Sequence, residues 1–138
     1  MSEENKALAR RFYEEVMNKK DVNAIDRLCA ADFVDHTAMP GQRPGIEGMK
    51  ESFAMFMRAF PDLRVNIEAM IAEGDIVAAR FTITATHSGE LMGAPPTGRK
   101  VTMHGIDMIR IQAGKAIEAW HQGDDMTVLA GLGVNPPS

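Results

Sequence analysis

Ile76-Val77-Ala78-Ala79-Arg80-Phe81-Thr82-Ile83-Thr84-Ala85-Thr86-His87 is the stretch on which the fold turns. Val77, Ala79, Phe81, Ile83 and Ala85 fall on one face, and Arg80, Thr82, Thr84 and Thr86 fall on the other. That period of two is the pattern of a half-buried strand. Two further runs follow it. Arg99 to Ile111 places Met103, Ile109 and Ile111 on one face and His104, Met108 and Arg110 on the other. Lys115 to Gln122 places Glu118, Trp120 and Gln122 on a single face, with Asp124 next along it. The spacing predicts three long antiparallel strands and a polar triplet, His104, Arg110 and Asp124, converging on one side of their sheet. Glu73-Gly74-Asp75 and Ala113-Gly114-Lys115 are tight-turn signals between strands. The intervening stretch Ser88 to Gly98 carries two prolines and three glycines, which predicts a long ordered loop at the sheet's end.

Upstream, Ser2 can cap a helix with Glu3 and Glu4 in its first turn. That helix carries Leu8, Ala9, Phe12, Tyr13, Val16 and Met17 along one stripe and ends at Asn18-Lys19-Lys20. Asp21 is expected to cap a short second helix, Val22 to Cys29. Ala31 to Thr37 reads as a short extended segment with Phe33 and Asp35 opposite Val34 and His36, followed by a loop from Met39 to Gly45. A third helix, Ile46 to Phe60, turns Phe53, Phe56 and Phe60 inward and is stopped by Pro61. A strand from Asp62 to Ala72 precedes the three long ones. A last helix, Met126 to Leu132, leads to a proline-rich tail expected to fray. Helices first and strands after predict an α+β domain spanning 1–138, with three N-terminal helices covering one face of a curved antiparallel sheet.

Composition narrows the partners. The 138 residues carry a net charge of −4 with no basic cluster, which argues against nucleic acid and anionic membrane as partners. The one cysteine, Cys29, leaves no internal disulfide and reads as a small buried residue of a reducing compartment. No apolar run approaches about 20 residues and the N-terminus is acidic, so the expected location is cytoplasmic. Eleven scattered methionines read as adaptable core and pocket lining. His36, His87, His104 and His121 lack metal-ligand spacing, and phosphate-binding glycine loops and a serine nucleophile elbow are absent. Neither a metal nor a cofactor is expected.

Several marks occur together along the chain: Phe33-Val34-Asp35-His36, Phe60-Pro61-Asp62, Glu73-Gly74-Asp75, Thr86-His87-Ser88-Gly89-Glu90, Gly93 to Gly98, Arg110, Gly114-Lys115, Glu118-Ala119-Trp120 and Asp124. In this order and spacing they resemble the SnoaL-like polyketide cyclase family, also labelled ester cyclases, within the cone-shaped domains typified by nuclear transport factor 2. The resemblance implies a conical α+β barrel and an apolar pocket between helices and sheet. It also implies a hydrophobic small-molecule ligand and a homodimer formed through the sheets. It maps the acid/base of an intramolecular aldol closure onto Asp124, with Asp125 adjacent. Arg110 stands where the cyclases place a histidine partner, a departure from their pattern.

The candidate catalytic residues are therefore Asp124, Arg110, His104 and His36, and the candidate pocket is Tyr13, Phe33, Phe53, Phe56, Phe60, Met108 and Trp120. A carboxyl group in a dry pocket can remove a proton beside a carbonyl and return it to an alkoxide. Structural alternatives stand beside each assignment. Asp124 can cap the last helix, Arg110 can pair with Asp124 or Glu118, His36 can be a structural hydrogen-bonding residue, and His87 and His121 read as rim or surface. Three functions follow: a cofactor-independent cyclase or isomerase, an epoxide hydrolase, or a binding module without turnover. The hydrolase needs Asp107 turned inward, against strand parity, beside Arg110. The apolar face of Val77, Ala79, Phe81 and Ile83 is expected to form the dimer interface.

Overall fold

The computed structural model describes residues 2–39 and 41–134. Pro40, in the predicted loop after Met39, and the tail from 135 to 138 lie outside the described residues. Helix α1 (Ser2–Arg11) has Glu3 and Glu4 at its positive end and Arg10 and Arg11 at its negative end, matching the helix dipole. It runs directly into a π-helical segment, Phe12–Asn18, where the sequence pattern predicts an unbroken α-helix. Helix α2 (Ala24–Leu28) starts later than expected, because the Asp21 carboxylate accepts the Asn23 N–H at 3.1 Å and holds a turn there. Strand β1 (Cys29–Asp35) and helix α3 (Gly45–Ala59) follow. Strands β2 (Arg64–Glu73), β3 (Ile76–Thr86), β4 (Lys100–Gln112) and β5 (Lys115–Gly123) come next, then helix α4 (Asp125–Gly131).

The strands form one sheet in the order β1-β5-β4-β3-β2. All pairings are antiparallel except β1 with β5, which are parallel, so the expected purely antiparallel sheet is corrected at that edge. Bulges at Ile67/Ala69 of β2 and opposite Arg110/Ile111 on β5 bend the sheet. It curves without closing, and the helices fill its concave side. Val77, Ala79 and Phe81 of β3 pack there with Val65, Ile109 and Ile111 against Tyr13, Val16, Ile25 and Leu28 of the helical layer.

This reverses one expectation. The face of Val77, Ala79, Phe81 and Ile83 is the helix-covered one, with Val77 and Ala79 at most 1% exposed, so it is not free to meet a second subunit. The uncovered convex face carries Ile71, 70% exposed, with Ile106, Met108 and Val34. The loop from Ser88 to Arg99 is docked rather than free. Ser88 and Gly89 both donate to the Ala59 carbonyl, and a Cβ at Gly89 would lie 2.3 Å from the Arg58 carbonyl oxygen. Beside it, His87 is fully buried against Phe60, not on the rim or surface as expected, because its ring is enclosed by the loop it anchors. Among the described residues, no helix is long and apolar enough to cross a membrane.

Candidate functional site

A cavity of about 220 Å³ lies between the helices and the concave face of the sheet. Its walls are apolar: Phe12 from the π-helical segment, Phe33 from β1, Phe53 and Phe56 from α3, and Phe81 and Ile109 from the sheet. Five titratable side chains line this space, Cys29 and Asp35 of β1, Asp107 of β4, His121 of β5 and Asp125 in the first turn of α4, and the last three meet one another. Register explains the meeting. Ala79, Asp107 and His121 are directly paired across three strands, so Asp107 and His121 point the same way.

The resulting network is continuous. The His121 ring places Nδ1 2.6 Å from Asp107 Oδ1 and Nε2 3.3 Å from Asp125 Oδ1. Asp107 Oδ2 accepts the Tyr13 phenol at 2.6 Å, and Thr37 Oγ1 accepts the His121 backbone N–H at 2.7 Å. With a carboxylate on each ring nitrogen, Asp107 first and Asp125 second, His121 is pushed up to about 10. The ring is therefore an imidazolium at neutral pH, donating through both nitrogens. The same contact holds Asp125 below the usual carboxylate range. Burial, and then the charge of Asp107, hold the Tyr13 phenol well above its ordinary value. Space for the ring comes from Gly105, since a Cβ there would lie 2.7 Å from Phe81 and 2.9 Å from the His121 ring.

The predicted catalytic residues do not gather in this cavity. Asp124 lies on the outer side, where its Oδ1 accepts the His104 backbone N–H at 2.7 Å and its Oδ2 sits 3.1 Å from the His104 ring. Those contacts, the backbone N–H foremost, hold its carboxyl low. Nor does its side chain cap α4. Arg110 projects from the convex face and pairs with Asp75 at 2.6 Å and Glu118 at 2.9 Å, so the structural alternative with Glu118 describes it. His36 joins the same outer cluster, 2.6 Å from Glu118 and stacked on Trp120 at 4.8 Å. It is exposed, and its partners are protein side chains.

Of the predicted pocket residues, Phe33, Phe53 and Phe56 line the cavity. Tyr13 reaches it through Asp107. Phe60 packs behind it against Phe56 and His87. Met108 and Trp120 stand opposite each other on the convex face and do not reach it. These differences have one cause: the face of β4 and β5 bearing His104, Met108, Arg110 and Trp120, expected at the pocket, is the outer one. Asp107, on the apolar parity of Met103, Ile109 and Ile111, thus faces inward, and His121, expected at the rim, faces it. A charge on an otherwise apolar strand face was the signal available for Asp107. With Arg110 outside, the described residues do not assemble the Asp-Arg-Asp cluster of the hydrolase reading. Cys29 lines the cavity as a buried thiol that desolvation pushes up to about 12. Among the described residues, no group of three or more His, Cys, Asp or Glu side chains is placed to hold a metal ion.

A family model of SnoaL-like polyketide cyclase matches residues 7–132. Among solved structures, AclR from Streptomyces galilaeus, described as "a putative hydroxylase", is 32% identical with a TM-score of 0.84, over 100% of this chain and 86% of that one. IdmH from Streptomyces antibioticus, described as "a putative polyketide cyclase", is 33% identical with a TM-score of 0.79, over 94% of this chain and 99% of its own. TsrD from Streptomyces laurentii is 25% identical with a TM-score of 0.82, over 94% and 95%. No curated protein matches the chain.

Proposed function

Because the chain belongs to the SnoaL-like polyketide cyclase family, we propose that it is a cofactor-independent acid/base catalyst acting on a hydrophobic carbonyl compound in the cavity. The observation that carries this reading is the His121 ring held between the Asp107 and Asp125 carboxylates at the wall of an apolar cavity. A ligand carbonyl oxygen takes the Nε2–H of His121 in place of Asp125, whose 3.3 Å contact is the longer of the ring's two. Released from that donor, Asp125 becomes the more basic carboxylate and removes the proton beside the carbonyl. The C–H electron pair forms the enolate double bond, and the carbonyl π pair moves to the oxygen beside the imidazolium, a fixed positive charge in a low-dielectric site. In an aldol closure the enolate carbon then bonds to a second carbonyl carbon of the same molecule. The alkoxide so formed takes the proton back from Asp125, leaving no net change.

The test is exchange of the α-protons of a hydrophobic β-keto ester with D2O, followed by NMR. Asp125→Asn is expected to lower the enzyme-dependent rate by roughly two orders of magnitude or more. Asp124→Asn is expected to leave it within about twofold, since Asp124 lies outside the cavity. Binding of the ester without exchange in the wild type would instead favour a binding module. The dimer belongs to this proposal too, moved to the convex face: Ile71, Ala78, Met108 and Trp120 form a cross-strand row there, flanked by exposed Ile106 and Val34.

A further inference from the structure

Of the side chains in the network, Tyr13 is the most deeply buried, 2% exposed, and its ring is fixed by Phe12 edge-on at 6.1 Å and by Phe81 at 5.7 Å. It belongs to the π-helical segment Phe12–Asn18, whose wider i→i+5 winding is a form concentrated at functional sites. Its phenol occupies Asp107 Oδ2, while His121 occupies Oδ1, so both oxygens of one carboxylate are engaged at 2.6 Å.

We infer that Tyr13 is a positioning residue. Acting through Asp107, it keeps the proton of the His121–Asp107 pair on Nδ1, so that the ring remains an imidazolium with Nε2–H facing the cavity. A carboxylate beside an imidazole can hold that proton in two ways: on nitrogen, as an ion pair, or on oxygen, as a neutral pair. Apolar surroundings favour the neutral pair, because both charges lose their solvation. A hydrogen bond donated to the second carboxylate oxygen favours the ion pair, because it stabilises the anion alone. The Tyr13 phenol is that donor, and it keeps its own proton because burial and the neighbouring anion oppose its ionisation. Without it the balance moves toward the neutral pair: the anion that holds the proton on Nδ1 is less stabilised, the ring gives up its charge at a lower pH, and the positive charge facing the ligand oxygen is weakened. Only the consequence for rate rests on the proton-transfer reading; the protonation of the ring does not.

The experiment records ring 15N–1H spectra of 15N-histidine-labelled protein from pH 7 to 11. In the wild type both His121 nitrogens are expected to be protonated at pH 7 and to remain so until near pH 10. In Tyr13→Phe, which keeps the ring contacts and removes the donor, one of them is expected to reach the shift of an unprotonated nitrogen about one pH unit lower. Val16→Ala, a change of another buried residue in the same segment, is expected to keep the wild-type pattern. In the exchange assay, Tyr13→Phe is expected to be slower by about tenfold or more. A ring that loses its proton at the wild-type pH in folded Tyr13→Phe would overturn the inference. Should that variant fail to fold, Tyr13 is the chain's one tyrosine, so uniform 3-fluorotyrosine labelling changes this site alone. The more acidic phenol is then expected to draw charge from Asp107 and move the His121 Nδ1–H resonance upfield, and an unmoved resonance would refute the coupling. An absence of exchange in the wild type would count against the proposed function while leaving the ring spectra to decide this point.

Discussion

His121 is the residue on which the proposed proton transfer turns, because a single imidazole is shared by two carboxylates from different elements. Its protonation carries a signature in stability. The folded value of about 10 lies above the usual 6.5, so the pairing stabilises the protein fully below about pH 6.5. That contribution is lost as pH rises through 10. Thermal denaturation from pH 7 to 10.5 is expected to show an alkaline fall in Tm that shrinks in His121→Gln, and an equal fall in both proteins would contradict the assignment. Legibility at this scale was a matter of one residue. The sequence pointed to an acid at the end of β5, but parity alone could not say which of two adjacent aspartates faces inward. The turn into α4 decides it, sending Asp124 to His104 and Asp125 to His121.

Among the elements, α3 shows how a helix can serve both core and cavity. Phe60, at its end, is fully buried behind the cavity, whereas Phe56, one turn earlier, is partly exposed and lines it. Phe60→Ala is expected to cost about 3–5 kcal/mol in chemical denaturation. Phe56→Ala is expected to cost less than about 2 kcal/mol while changing ligand affinity, since the space it leaves joins an existing cavity. Equal losses would show that the two rings share one environment. The inward set Phe53, Phe56 and Phe60 was readable from helical spacing, and the strands from alternation, because each is a local pattern. The π-helical segment and the parallel β1–β5 pairing were not. The first breaks an unremarkable helical stripe, and the second depends on where distant segments dock. The inner face of β4 was missed for a related reason. Alternation gives two faces but not which one the helices cover, and with the wrong face chosen Asp107 is expected to point outward.

For the whole molecule, the α+β order was legible from helices preceding strands, and the concave packing follows from it. The convex face is left with an apolar row that, as proposed, a second copy covers across a two-fold axis. Sedimentation at micromolar concentration is expected to give a dimer, and Met108→Lys a monomer, because the charge would be buried at the centre of the row. A wild-type monomer would contradict that proposal without touching the cavity. The proposed proton transfer requires a carbonyl ligand to meet His121 and Asp125 inside the cavity. The most direct measurement is a crystal structure of the protein with a hydrophobic β-diketone bound. One ligand oxygen is expected within about 3.2 Å of His121 Nε2, with the carbon between the two carbonyls facing the Asp125 carboxylate. A ligand seated with its carbonyls away from both, or bound instead beside His104 and Asp124, would contradict it.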